Sequence, residues 1–399
     1  MEVGKEHPYN APRNPMVQKI DTPADPRPAL LDLSPDELKA LLTSWGQPAF
    51  RAGQIYQHLW VRFADSVDAM TDLPAALREQ LARETRIGGL TLKVVKSGDD
   101  GLTRKAVWTL RGGETIESVL MIYPDRATVC VSSQAGCPMG CVFCATAKLG
   151  FLKDLTGGEI AQQVLWAARE IKRIGAANDY DPRSRHKVDA SNFPKHLSNV
   201  VFMGMGEPFN NYDNWWNSIE KLHDPKGFNM GARSFTVSTV GLIPGIQRLM
   251  QSGMQINLAI SLHAVDDERR SSMMPVNKRY PIGDLLDAVE EFTRVTGRRV
   301  SFEYVLLDHQ NDSPAEAEKL AGLLRSRKGL VSHVNLIPWN PVRDTGLSRS
   351  TRERINQFRD ILENRGVPAT IRIQRGMDID AACGQLAGDL AQPQAAPPA

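Results

Sequence analysis

The sequence predicts an α/β protein: a partial, open barrel of parallel βα units, preceded by a small helical N-terminal domain and a short antiparallel sheet. Three observations carry this reading. From about residue 127 to about 375, short β-branched runs alternate with helical patterns, which implies a parallel sheet with right-handed crossovers. Residues 88–123 hold three strand-like runs separated by turn residues. Residues 28–87 carry apolar positions at helical spacing.

Taken in order, residues 1–27 contain Pro8, Pro12, Pro15, Pro23 and Pro26 without periodicity, and are expected to be a disordered extension. Residues 28–87 form the helical accessory domain. Ser34-Pro35 reads as an N-cap followed by proline at the first helical position. Leu38, Leu41, Leu42 and Trp45 continue that helix, a second begins near Phe50, and a third near Asp72. Arginines scattered among them (Arg51, Arg62, Arg78, Arg83 and Arg86) fit either a solvated face or a grip on a phosphate backbone. Residues 88–123 are the linking strands, turned at Asp99-Asp100-Gly101 and Arg111-Gly112-Gly113.

Residues 124–386 form the barrel with a terminal cysteine loop. Its strands are expected at 127–132, 199–203, 235–238, 255–261, 300–307, 333–337 and 369–373. A polar stretch at 175–195 reads as an exposed insertion, and 387–399 as a disordered low-complexity tail.

Composition sets bounds. The chain has 399 residues, 42% hydrophobic and 24% charged, enough for a large soluble core. A net charge of +2 does not by itself announce a nucleic-acid binder, so any such footprint must be local. No apolar run approaches the roughly 20 residues of a membrane span, and the N-terminus lacks the order of a signal peptide. A cytoplasmic monomer is the expectation. Of five cysteines, four fall between Cys130 and Cys144. That crowding in a reducing compartment points to metal or catalysis rather than to a disulfide framework.

The strongest motif is Cys137-x3-Cys141-x2-Cys144, in the loop after the first barrel strand. At the C-terminal ends of barrel strands such a loop lies on the catalytic face. Three local thiols leave one ligand position open on an iron–sulfur cluster; a zinc knuckle would need a fourth ligand from elsewhere. Further strand ends carry Gly204-Met205-Gly206-Glu207, Ser238, Ser261-Leu262-His263 and Asn340. Singly, each could be a satisfied strand-end group; together they supply a ring of polar groups from different strands. Cys383 follows the last strand, and Glu117 lies in a linking strand where a plain exposed carboxylate is the simpler reading.

The cysteine spacing, with Phe143 before the last cysteine, resembles the radical S-adenosylmethionine superfamily, and the ordered set of segments resembles its dual-specificity RNA adenine-C2 methyltransferases. The resemblance covers roughly residues 30–386. It implies a [4Fe–4S] cluster on Cys137, Cys141 and Cys144, and S-adenosylmethionine held by Gly206, Glu207, Ser238, Ser261, Leu262, His263 and Asn340. It implies Cys383 as methyl carrier, Glu117 as general base and Cys130 as the cysteine that forms a disulfide with Cys383 to release product. It further implies 23S rRNA and tRNA as substrates, and an electron donor such as flavodoxin or ferredoxin. A C8-methylating relative linked to antibiotic resistance, and a non-catalytic metal-stabilised RNA-binding protein, are the alternatives.

Overall fold

The structure, a computed structural model, describes residues 25–342 and 344–386. The expected extension, apart from 25–27, and the expected tail at 387–399 lie outside the described residues.

Three helices come first: α1 (Pro35–Ser44), α2 (Phe50–Trp60) and α3 (Ala75–Glu84). Ser34 caps α1 as expected. The Glu37 N–H donates to Ser34 Oγ (3.2 Å), and the Ser34 N–H donates to Glu37 Oε2 (2.8 Å). The third helix begins at Ala75, after Pro74, rather than at Asp72. Leu38, Leu42, Ile55, Leu59, Leu77 and Leu81 pack inward at helical spacing.

Strands β1 (Thr91–Gly98), β2 (Thr103–Thr109) and β3 (Thr115–Tyr123) form the antiparallel part. Then come β4 (Arg126–Cys130), β5 (Gln134–Gly136), α4 (Ala145–Lys148), β6 (Phe151–Asp154) and α5 (Gly157–Ala177). The repeating units continue with β7 (Asn199–Phe202), α6 (Tyr212–His223), β8 (Phe235–Thr239), α7 (Ile243–Gln251), β9 (Asn257–Ser261), α8 (Asp267–Met273) and α9 (Ile282–Thr296). They end with β10 (Val300–Leu306), α10 (Pro314–Arg325), β11 (Ser332–Pro338), α11 (Arg352–Asn364) and β12 (Ala369–Ile371).

One ten-stranded sheet runs β1-β2-β3-β4-β7-β8-β9-β10-β11-β12. From β4 to β12 every pairing is parallel, while β1 to β4 pair antiparallel. The linking strands are therefore continuous with the barrel sheet. The order stays open, with β1 and β12 at its edges. Chain beyond β12 returns to the β1–β2 turn: the Gly376 N–H donates to Asp99 Oδ2 (2.7 Å), and the Asp99 N–H donates to Asp378 Oδ2 (3.1 Å).

The polar stretch after α5 is mostly exposed, as its composition suggests, but it is also docked. It lies against the β1–β2 turn rather than standing free. The Asp181 N–H donates to Asp100 O (2.9 Å), Tyr180 stacks on Phe193 (5.0 Å) and Val188 is buried. A few apolar side chains among many charged ones suffice to dock it.

Candidate active site

The cysteine loop starts directly after the short ribbon strand β5. Its partner β6 follows α4, so the β5–β6 pairing pins both ends of the loop. The Cys137 N–H donates to Gly150 O (2.8 Å), and the Val142 N–H donates to Met273 O (3.1 Å). Phe143 sits edge-on to His263 at 4.8 Å, and its carbonyl accepts from Trp339 Nε1 (3.2 Å). Loop backbone is thus tied to the end of α8 and to the chain just after β11, and the Phe143 ring to the end of β9.

Cys137, Cys141 and Cys144 border one cavity at the C-terminal ends of the parallel strands. Gly206, Glu207, Ser238, Ser261, His263, Asn340 and Cys383 line the same cavity. Leu262 does not; it is packed in the core, its N–H donating to Glu303 O and its carbonyl accepting from Arg270 Nε. Glu117 lines neither this cavity nor its neighbour.

The glycines make room. A Cβ on Gly204 would lie 2.6 Å from Val131 O, and Gly206 adopts φ +97° with a Cβ position 2.5 Å from Gln134 Cβ. Glu207 accepts from the Phe209 N–H (3.1 Å) and the Val240 N–H (2.9 Å), while its own N–H donates to Gln134 Oε1 (2.9 Å). Burial pushes its carboxyl up to about 7 despite those donors. A cationic group in the cavity would restore the charged form. His263 sits at φ +61°, where its Nδ1 accepts from the Val305 N–H (3.0 Å). Burial, then nearby Arg270, pushes it down to about 3, so the ring is neutral with Nε2 carrying the proton.

Two residues the sequence reading missed organise this rim. Arg270 is fully buried and donates to the carbonyls of Leu262, Val240 and Ser261 and to Asn277 Oδ1, knitting the loops after β8 and β9 together. Gln374 donates to Asn340 Oδ1, while Asn340 Nδ2 donates to the Cys383 carbonyl (2.9 Å). Asn340 therefore holds the Cys383 loop.

A second cavity adjoins the first. Cys130, Val119, Met121 and Tyr123 line it from β3 and β4, and Cys383, Arg372 and Asn340 line both cavities. All five cysteines are free thiols, and Cys383 is exposed. The Cys383 loop is seated by further bonds: the Ala145 N–H donates to Gly384 O (2.9 Å) and Thr146 Oγ1 to Leu386 O (3.0 Å). Burial, then the neighbouring Cys383, pushes the Cys130 thiol up to about 12, with Arg372 pulling the other way. Such a thiol stays protonated and quiet until its surroundings change.

The donor set fits an iron–sulfur cluster. Among the described residues no three Cys, His, Asp or Glu side chains close on a point as a single tetrahedral ion requires. Three thiols spread around a cavity wall suit a larger inorganic core. An open parallel barrel with such a loop after its first parallel strand, and a ring of polar strand ends around it, defines a radical S-adenosylmethionine enzyme, whose cofactors are a [4Fe–4S] cluster and S-adenosylmethionine.

Comparison with known proteins narrows the class. Residues 131–321 match the radical SAM superfamily, and residues 29–87 match the ribosomal RNA large subunit methyltransferase N-terminal domain. A probable dual-specificity RNA methyltransferase RlmN of Roseiflexus castenholzii is 54% identical over 393 residues, 93% of this chain and 98% of that protein. The Chloroflexus aurantiacus protein of the same name is 56% identical over 362 residues, covering 90% and 92%. A radical SAM methyltransferase from Sphaerobacter thermophilus has a crystal structure that matches with TM-score 0.83 and 48% identity, covering 90% of this chain and 99% of that one. The chain belongs to the RlmN family of dual-specificity RNA methyltransferases. No helix among the described residues is long and apolar enough to cross a membrane.

Proposed function

We propose that the protein methylates C2 of a specific adenosine in 23S rRNA, and adenosine 37 of tRNAs, with Cys383 as carrier of the methyl group. One observation carries this reading: Cys130 and Cys383, far apart in sequence, border one chamber, and Cys383 also borders the cavity of the cysteine loop. A single thiol facing both spaces can load in one and deliver in the other. C2 of adenine is electron-poor and is no nucleophile toward a sulfonium, so a polar transfer is closed to it.

Cys137, Cys141 and Cys144 would hold the cluster. Gly206, Glu207, Ser238, Ser261 and His263 would hold S-adenosylmethionine, with Leu262 contributing by packing and Asn340 through the Cys383 loop. Together the bound groups supply a transferable methyl and one-electron chemistry that removes a hydrogen atom from it. Cys383, as thiolate, would accept the methyl at sulfur by displacement, the sulfonium leaving as the thioether S-adenosylhomocysteine. The second chamber receives the extruded adenine against Tyr123 and Arg372. Glu117, buried behind the wall of that chamber, is the group assigned to take the proton that C2 loses. Once the sulfur-borne carbon has been joined to C2, Cys130 would attack the Cys383 sulfur as that sulfur's bond to the carbon breaks. The electron pair leaves with the base, which takes up a proton to complete its methyl group, and exchange with an external dithiol reduces the resulting Cys130–Cys383 disulfide.

The helical domain and the 175–195 stretch are assigned to gripping RNA backbone. An electron donor such as flavodoxin or ferredoxin would serve the cluster, and a cytoplasmic monomer is the working state. Mass spectrometry of nucleosides from 23S rRNA and tRNA, modified by the purified protein, tests the assignment. The expected product is 2-methyladenosine in both; 8-methyladenosine alone would overturn the regiochemistry.

A further inference from the structure

Behind the second chamber lie two charges with no access to solvent. Lys105 on β2 and Glu117 on β3 are both 0% exposed. Lys105 pairs in register with Val119, and Glu117 with Val107, so their side chains leave one face of the sheet as diagonal neighbours. Lys105 Nζ lies 3.2 Å from Glu117 Oε1. The same ammonium donates to the backbone carbonyl of Asp380 (3.3 Å), in the segment that carries Cys383. Val119 pairs in turn with Cys130 on β4, so Lys105, Val119 and Cys130 form one row across three strands. A buried ion pair of this kind is weak support for stability, since apolar side chains often replace one without loss. Its location, between the chamber wall and the segment that carries Cys383, asks for another role.

We propose that Lys105 is a positioning residue for methyl transfer to RNA: one ammonium holds the Glu117 carboxylate on one side and the Asp380 carbonyl on the other, and so fixes the base relative to the methyl-carrying thiol. This rests on the reading of Glu117 as the base. Base and thiol come from distant parts of the chain, and the segment is otherwise seated by its bonds to Asp99, Asn340, Pro341 and α4 and by Arg375, which donates to the Ile122 carbonyl of β3 (2.6 Å). Lys105 touches the Glu117 carboxylate itself and, three residues ahead of Cys383, the backbone that carries the thiol.

The test uses the full chain with its cluster reconstituted, and three measurements: RNA methylation, peptide-mass detection of methyl-Cys383 without RNA, and amide hydrogen exchange across 376–386. Lys105→Met is expected to slow RNA methylation about 100-fold, the scale of a misplaced reacting group. Loading of Cys383 should fall far less, and exchange in 376–386 should rise. Lys105→Arg should recover part of the RNA rate. Should Lys105→Met fold poorly, the pair Lys105→Met with Glu117→Gln removes both charges; it should fold normally and still fail on RNA. Near-normal RNA methylation by Lys105→Met beside a slow Glu117→Gln overturns the positioning role alone. A normal Glu117→Gln beside a slow Lys105→Met overturns the base reading on which it rests. Unchanged exchange in 376–386 overturns the tether.

Discussion

The cavity around the cysteine loop takes its walls from successive strands, β7, β8, β9, β10 and β11, and the chain that follows their ends. The adjoining chamber joins β3 and β4 to residues 372–386, which return across the open edge of the sheet. In the first, the ionisable Glu207 and His263 are held by backbone, Glu207 by two N–H donors and His263 by one, and Ser238 and Ser261 meet each other at 3.5 Å. In the second, the decisive contacts cross between distant segments, as Lys105 does to Asp380 and Asn340 to Cys383. The first arrangement suits a cofactor that must sit in one place. The second suits a thiol that must serve two places.

Cys383→Ala breaks the comparison most sharply. The cysteine loop and its bonds to Gly150 and Met273 do not involve the Cys383 side chain. The variant should therefore take up its cluster with an unchanged absorption spectrum. Methylated RNA should fall by about 10⁶-fold, the scale on which loss of a covalent nucleophile is felt. A variant that made methyladenosine at even a few per cent of the normal rate would remove the carrier role.

Glu207→Gln acts on the other cavity and gives two effects of opposite sign. Binding of S-adenosylmethionine should weaken about 100-fold, because a charged hydrogen bond to the amino group is lost. Stability of the cofactor-free protein should change the other way. Folding raises the Glu207 pKa from 4.5 to about 7 by burial. The folded state then holds the proton more tightly, so the group's contribution is full below about pH 4.5 and is lost as pH rises through about 7. Glutamine has no charge to bury. By pH 8 it should be the more stable side chain by roughly 3 kcal/mol, with no difference of that kind at pH 4. Denaturant melts of both proteins at the two pH values read this directly.

Those two cavities also differ in how far the sequence discloses them. The cysteine spacing, the Gly204–Glu207 turn and the strand-end Ser238 and Ser261 are local patterns, and the structure brings all of them to one cavity. The βα rhythm likewise gives the parallel sheet. The β5–β6 ribbon was illegible because β5 and β6 have only 3 and 4 residues, too few for any periodicity, and exist through mutual pairing. Arg270 was missed because an arginine in a charged run reads as exposed; its burial comes from carbonyls on two other loops. Glu117 reads as a strand carboxylate on an open face. Only its pairing across β2 reveals that Lys105 is buried with it. Local chemistry is written in local sequence, whereas a chamber assembled from distant segments is written in the register.

Asn340→Ala sharpens the comparison at its mildest point. The Asn340 amide donates one bond, to the Cys383 carbonyl, and accepts one, from Gln374. Loss of the donated bond removes about 1 kcal/mol of hold on the loop, which is about a fivefold shift in the balance between seated and released forms. The other seats, on Ala145, Thr146 and Lys105, remain. The loop should therefore stay mostly seated, with amide exchange in 381–386 faster by about that factor. The cysteine loop, which Asn340 does not touch through any hydrogen bond here, should exchange as before. Exchange that rose equally in 137–144 would mean that the two cavities are one mechanical unit, and that the division between a fixed site and a movable thiol does not hold.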